Sequence, residues 1–271
     1  MTDALPLLIE IGTEELPPTS LATLERAFGQ LIGEALSKEG FEHDGLQTFA
    51  TPRRLAIVIK DIATTQPDQA IERRGPALTA AYDESGQATK ALAGFARSCG
   101  VPADTPFETI TSDKGAWVVY RATAPGLPLT ERLGEILEAS LQQLPIARRM
   151  RWRDLSAEFV RPVRWLVVMI GAEVVPIELF GCTASNQSQG HRFMGKGAFE
   201  IRSPLEYTSQ LAEHFVVADR VDRQKMIWSA LMAKAESLGG AIPENNALLD
   251  EVTALVEWPA VLAGHFDERF L

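Results

Sequence analysis

Between residues 5 and 36 the hydrophobic pattern changes period once, and that change limits what the chain can build. Leu5, Leu7, Ile9 and Ile11 alternate with Pro6, Leu8 and Glu10, the two-residue repeat of a strand that ends at Gly12. After Pro17-Pro18 the period lengthens. Leu21, Leu24, Phe28, Leu31, Ile32 and Leu36 fall on one face of a helix, with Thr19 or Ser20 as its cap and Gly40 just past its end. A strand handing over to an amphipathic helix calls for a sheet with helices laid against it.

The rest of the chain keeps mixing the two periods. Residues 53–62, rich in branched side chains, read as a second strand, and residues 64–90 carry the Gly, Pro, Asp and Ser of a loop. A short helix over 88–98 closes at Gly100, and a strand over 116–123 follows the turn Asp113-Lys114-Gly115. Thr130 caps a helix whose Leu133, Ile136, Leu137, Leu141 and Leu144 share a face, and Pro145 stops it. Trp165–Ile170 and Val174–Phe180 read as two strands joined through Gly171-Ala172-Glu173. Ser203-Pro204-Leu205-Glu206 is a capping box for a helix over 204–214, and 215–218 form a brief strand. Asp219 caps a longer helix that ends at Gly239-Gly240 and buries Val221, Ile227, Trp228, Leu231 and Leu238; a last helix spans about 246–257. The expected fold is α+β, mixed sheets with flanking helices. Two subdomains, 1–145 and 146–271, divide near residue 145 or in the 181–203 loop.

With 46% hydrophobic and 23% charged residues, 271 residues describe a chain that buries a real core. Nothing approaches the roughly 20 apolar residues of a membrane span, and Met-Thr-Asp-Ala-Leu-Pro lacks the plan of a signal peptide, so the chain reads as cytoplasmic and without membrane partners. The apolar stretch before the terminal Asp-Glu-Arg-Phe-Leu looks cut rather than finished. Cys99 and Cys182 are too few for a disulfide framework and read as buried thiols.

Against a net charge of −10, residues 148–164 hold Arg148, Arg149, Arg151, Arg153, Arg161 and Arg164, offset only by Asp154 and Glu158. Guanidinium forks match phosphate bidentately, and Trp152, Phe159 and Trp165 can stack on bases or pack behind the patch. A polyanion held locally is one reading; pairing with the protein's own acids, or with another subunit's, is the other.

Three further constellations carry less. Glu10, Glu14 and Glu15 surround the end of the first strand, where acid–base work is possible, although acids before a helix also favour its positive end. Gly190–Gly197 brackets His191, Arg192 and Lys196 with glycines but lacks the spacing of a P-loop. His43, His214 and His265 stand singly, which predicts no metal site, and no catalytic constellation is complete.

Several longer strings then converge: Leu-Leu-Ile-Glu-Ile-Gly-Thr-Glu-Glu-Leu-Pro-Pro from Leu7, Thr-Pro-Arg-Arg-Leu-Ala from Thr51, Gly-Phe-Ala-Arg-Ser-Cys-Gly-Val from Gly94. They continue with Arg-Met-Arg-Trp from Arg149, Phe-Val-Arg-Pro-Val-Arg-Trp from Phe159, Gly-His-Arg-Phe-Met from Gly190 and Leu-Leu-Asp-Glu-Val-Thr-Ala-Leu-Val-Glu-Trp-Pro from Leu248. Together they resemble the N-terminal part of the beta subunit of bacterial heterotetrameric glycyl-tRNA synthetase. Two departures stand out. Where the family usually has a lysine before Arg-Met-Arg-Trp this chain has Ile146-Ala147-Arg148, and where it often has a histidine before the tryptophan this chain has Arg164.

The resemblance implies a division of labour in an alpha2beta2 enzyme. The alpha subunit binds ATP and Mg, makes glycyl adenylate and charges tRNA(Gly), while beta contributes tRNA binding and assembly and carries no cofactor or catalytic residue in this part. The family's HD-like and anticodon-binding regions would lie beyond this stretch. On that view Arg148, Arg149, Arg151, Arg153, Arg161 and Arg164 contact tRNA with Trp152, and His191 and Arg192 are secondary contacts. Two alternatives stay open: the arginine run docks the alpha subunit, or the chain is a self-contained enzyme using Glu14, Glu15 and His191 on a phosphorylated substrate.

Overall fold

The computed structural model describes residues 4–113, 115–154, 156–267 and 269. Lys114 of the expected turn, and Glu268, Phe270 and Leu271 of the chain's end, lie outside the described residues. Two compact units result, Met1–Thr65 with Pro128–Leu271, and Gln66–Leu127. The division expected near residue 145 therefore falls inside the larger unit. Helix and arginine run share one core, because the apolar face of the helix before residue 145 packs against strands from both sides of that point.

In the larger unit β1 (Ala4–Thr13), α1 (Pro18–Lys38), β2 (His43–Thr51) and β3 (Arg54–Ala63) follow in order. The smaller unit is inserted next, with β4 (Gln69–Ala77), α2 (Leu78–Ala81), α3 (Lys90–Ser98), β5 (Glu108–Ser112) and β6 (Gly115–Ala124). The larger unit resumes with α4 (Leu129–Gln142), β7 (Met150–Arg151), β8 (Glu158–Phe159), β9 (Val163–Ile170), β10 (Glu173–Val174), β11 (Glu178–Leu179) and β12 (Cys182–Thr183). It closes with β13 (Gln187–Gln189), β14 (Ala198–Glu200), α5 (Tyr207–Glu213), α6 (Arg220–Ser237) and α7 (Asn246–Thr253).

A five-stranded antiparallel sheet, ordered β10-β9-β1-β3-β2, forms the centre of the larger unit. β1 lies in its middle and is covered on both faces. Leu7, Ile9 and Ile11 join the faces of α1 and α4, led by Leu24, Phe28, Leu133 and Leu137, in one core. Leu8 joins Phe49, Val58, Met169, Tyr207 and Leu211 in a second core on the opposite side. Double burial explains why β1 is almost wholly apolar and why Glu10, on the face of Leu8, is its one carboxylate inside.

The smaller unit is a three-stranded antiparallel sheet, β4-β6-β5, carrying α2 and α3 over Ala81, Leu92 and Val118. Most of β4, and the whole of β5, is exposed or half-exposed, so neither shows the alternation that marks a half-buried strand. About half of the loop expected over 64–90 is thus strand and helix, while 64–68 and 82–89 remain loop and turn. β2 escaped for the same reason, its first half being polar and exposed.

Helix ends follow local chemistry with two corrections. α1 and α4 start after Pro17 and Pro128, and neither Thr19, Ser20 nor Thr130 acts as cap. Proline at or before the first turn sets the entry dihedral without a side-chain bond. Asp219 caps α6 as expected, accepting from the amides of Val221 and Asp222 at 2.8 and 3.0 Å, and Thr89 caps α3, where no cap is expected. Asp219→Ala should cost about 1 kcal/mol, measured by urea unfolding; a change below a few tenths would show the cap to be idle.

Residues 204–213 are helical as expected, a 3-10 turn capped by Ser203 leading into α5. Three other expectations fail. Residues 215–218 are not a strand, since Phe215 sits at φ 60. Beyond Ile170, the expected Val174–Phe180 strand breaks into β10 and β11 around Pro176, which cannot donate to a ladder. On α6 only Arg223 and Ile227 are buried, while Val221 and Leu238 are exposed. No helix among the described residues is long and apolar enough to cross a membrane.

Candidate functional site

α4 ends in a tight turn, and the arginine run then forms a hairpin, Met150 pairing with Phe159 and Arg151 with Glu158. Its aromatics point inward. Phe159 is buried and packs on Phe180 at 5.1 Å between ring centroids, and Trp152 lies 6.1 Å from the same ring. The hairpin is therefore anchored by its apolar residues, and Trp152 is packing rather than an open stacking platform.

The arginines divide into groups with different duties. Arg149 donates to the carbonyls of Gln142 and Leu144, at 2.8 and 3.5 Å, and closes the C-terminal turn of α4. Arg161 donates to the carbonyls of Glu15 and Val160, at 3.0 and 2.9 Å, and ties the strand start to the loop after β1. Arg151 is exposed and pairs with Glu158 at 2.6 Å, a contact that a surface location makes weak. Arg148 and Arg153 are exposed and make no ion pair or hydrogen bond among the described residues; Arg153 holds φ 56 at the hairpin tip. Arg148, Arg151 and Arg153 thus offer cations to solvent.

Arg164 and Arg192 belong to another place. Together with Thr13, Glu14, Arg53 and Trp165 they line a cleft of about 310 Å³ where β1, the β2–β3 turn, β9 and the loop after β13 meet. Glu14 faces Arg164 at 3.3 Å and Arg192 at 2.9 Å, and Glu15 faces Arg192 at 2.7 Å. His191 uses Nδ1 to accept from the amides of Phe193 and Met194, at 3.3 and 3.2 Å. That bond shapes the glycine-bracketed loop, which leaves Phe193 86% exposed. The side chains expected for acid–base work, Glu14 and Glu15, are spent on Arg192.

Behind the cleft lies a buried polar network. The Glu10 carboxylate accepts from Trp165 Nε1, Tyr207 Oη, Ser188 Oγ at 2.6 Å and Arg54 Nη1 at 3.3 Å. Arg54 also donates to the Gln189 carbonyl at 2.8 Å and to Glu257 at 3.3 Å, where Thr51 Oγ1 donates as well at 2.7 Å. Burial alone would lower the Arg54 pKa; Glu10 and Glu257 overcome it and hold the guanidinium above its ordinary value. Burial and the Glu10 carboxylate raise the Tyr207 phenol well above its usual range, so it stays a donor. Arg223, equally buried, lacks a hydrogen-bonded carboxylate and spans the carbonyls of Ala50, Val217 and Thr253; burial pushes it down to about 10.

Sequence reading missed Arg53, Arg54 and Arg223 as members of polar sites. The first two stand in Thr-Pro-Arg-Arg-Leu-Ala, directly before a run of branched apolar residues, which was the available signal. Nothing in the pattern of α6 marks Arg223 as buried. Cys99 and Cys182 are both half-buried, and burial raises the Cys182 thiol pKa. No group of three or more His, Cys, Asp or Glu side chains is placed to hold a metal ion among the described residues.

Known proteins supply the context for this arrangement. The sequence profile of the glycyl-tRNA synthetase beta subunit family matches residues 7–271. The glycine–tRNA ligase beta subunit of Marinobacter nauticus is 44% identical over 266 residues, covering 97% of this chain and 38% of that relative. The beta subunits of Haemophilus influenzae and Pasteurella multocida are each 43% identical over 265 residues with the same coverage. The chain spans about 38% of the length of these curated relatives. A match that runs through both units, from β1 past α7, makes this chain a member of the glycyl-tRNA synthetase beta subunit family.

Proposed function

We propose that this chain is the tRNA-binding and assembly part of a glycine–tRNA ligase. An alpha subunit would carry the chemistry: ATP, glycine and tRNA(Gly) to glycyl-tRNA(Gly), AMP and diphosphate, with ATP and Mg bound there, in an alpha2beta2 enzyme of the cytoplasm. The observation that carries the tRNA reading is the exposure of Arg148 and Arg153, without ion pairs among the described residues, just before and at the tip of one hairpin in a chain whose net charge is −10. An acidic surface repels RNA, so contact must be local and made by cations that the fold has not already spent. Arg149 and Arg161 answer to backbone carbonyls, and their part is to hold the hairpin in place.

The test is tRNA(Gly) binding by fluorescence anisotropy across a salt series. Replacing Arg148 and Arg153 by Ala should weaken binding on the order of tenfold and flatten the salt dependence by about 0.7–0.9 per lost phosphate contact. Arg149→Ala should lower thermal stability with the salt slope unchanged. If the double variant binds tRNA as before but no longer assembles with an alpha subunit, judged by light scattering, the hairpin is a docking surface for that subunit. If it changes neither, the hairpin has no part in either task.

A further inference from the structure

Three guanidiniums from three separate segments converge on the cleft beside the buried network: Arg53 from the β2–β3 turn, Arg164 from β9 and Arg192 from the loop after β13. Glu14 is the only carboxylate lining it among the described residues. Arg53 is fixed from behind, with Nη1 on the Gly190 carbonyl at 3.3 Å and on Glu257 at 3.5 Å and its plane 5.5 Å over the Trp165 ring. Its Nε is buried and has no partner, and the same is true of Thr13 Oγ1 on the neighbouring strand end. Thr13 is 1% exposed. Nearly all buried donors in folded proteins are bonded, so two idle ones on residues of a single cation-rich cleft point to a missing acceptor.

We infer that this cleft seats one phosphate group, bound by Arg53, Arg164, Arg192 and Thr13, with Glu14 and Glu15 as internal carboxylates that compete for the same cations. Geometry decides between phosphate and a second carboxylate. Glu257 holds Arg53 from behind, while Glu14 and Glu15 hold Arg164 and Arg192 in solvent-facing pairs that an entering anion can displace, and a tetrahedral oxyanion has oxygens enough to reach cations on three walls at once. The volume, about ten water molecules' worth, admits that group and part of whatever bears it. The seat needs none of Arg148, Arg151 and Arg153, so it stands apart from tRNA contact on the hairpin.

Calorimetric titration of inorganic phosphate into the whole chain at about 0.1 M salt reads the seat directly. Saturable binding is expected. Thr13→Val should weaken it about tenfold, as for a hydrogen bond to a charged group, and Glu14→Gln should strengthen it at least about threefold by removing a competitor. Arg192→Gln, a change at an exposed position, should weaken it and serves if Thr13→Val proves unstable. Opposite signs at residues 13 and 14 would not arise from a loss of folding. No saturable binding by the parent chain, or equal loss in all the variants, overturns the inference. Source is decided by competition: tRNA that displaces phosphate identifies an RNA phosphate, and simultaneous binding identifies a free one. Either result supports the seat, whatever Arg148 and Arg153 are found to do.

Discussion

Arg54→Ala is expected to lower the unfolding free energy by about 3–5 kcal/mol, a large fraction of what a domain has to lose. The loss comes from what remains. Glu10 is fully buried and Glu257 nearly so, and without the guanidinium between them two carboxylates face each other inside the protein with fewer donors. Trp165, Tyr207 and Ser188 still reach Glu10, but hydrogen bonds from neutral groups do not replace a charge. Arg54→Lys should fall between the parent and Arg54→Ala, because a single ammonium keeps the charge and cannot bridge Glu10, Glu257 and the Gln189 carbonyl together. Urea unfolding with an unchanged denaturant slope would read the difference cleanly, and a loss below 1 kcal/mol in Arg54→Ala would show the network to be incidental.

Gly12→Ala should be almost as damaging, by roughly 3 kcal/mol or more, although it adds one methyl group. Gly12 pairs with Arg54 on one side and Trp165 on the other, and all three lie on the Glu10 face of the sheet. With no side chain there, the indole lies across the glycine and reaches Glu10. A Cβ at residue 12 would come within 1.9 Å of Trp165 Cδ2 and Cε2, so the ring must move and its hydrogen bond is lost. Because the cost arises from that single clash, it should be non-additive: in a Trp165→Leu background Gly12→Ala should cost less than about 1 kcal/mol. Equal losses in both backgrounds would place the strain elsewhere in the strand.

Glu10 and Arg54 show how far the candidate site can be read from sequence. Glu10 in an apolar strand and paired arginines before a run of branched residues are each visible, but the residues that meet them, Ser188, Tyr207 and Glu257, come from far along the chain. Arg148 to Arg164 were equally visible as a cluster. Their partners were not, and partners separate the arginines that brace α4 and the strand start from those that face solvent.

What the sequence determined by itself is the part governed by neighbours along the chain. A short apolar run broken by Glu10 marked β1, a six-residue apolar face made α1, and Asp219, Gly40 and Gly100 set helix ends, because these forces act over a few residues. Only the tertiary structure decided that β4 to β6 form an inserted unit, that Arg223 is buried on a polar helix, and that Arg53, Arg164 and Arg192 share one cleft. Edge strands exposed on both faces leave no periodic trace. Charged groups have no fixed environment until the fold places an acid, a carbonyl or water against them.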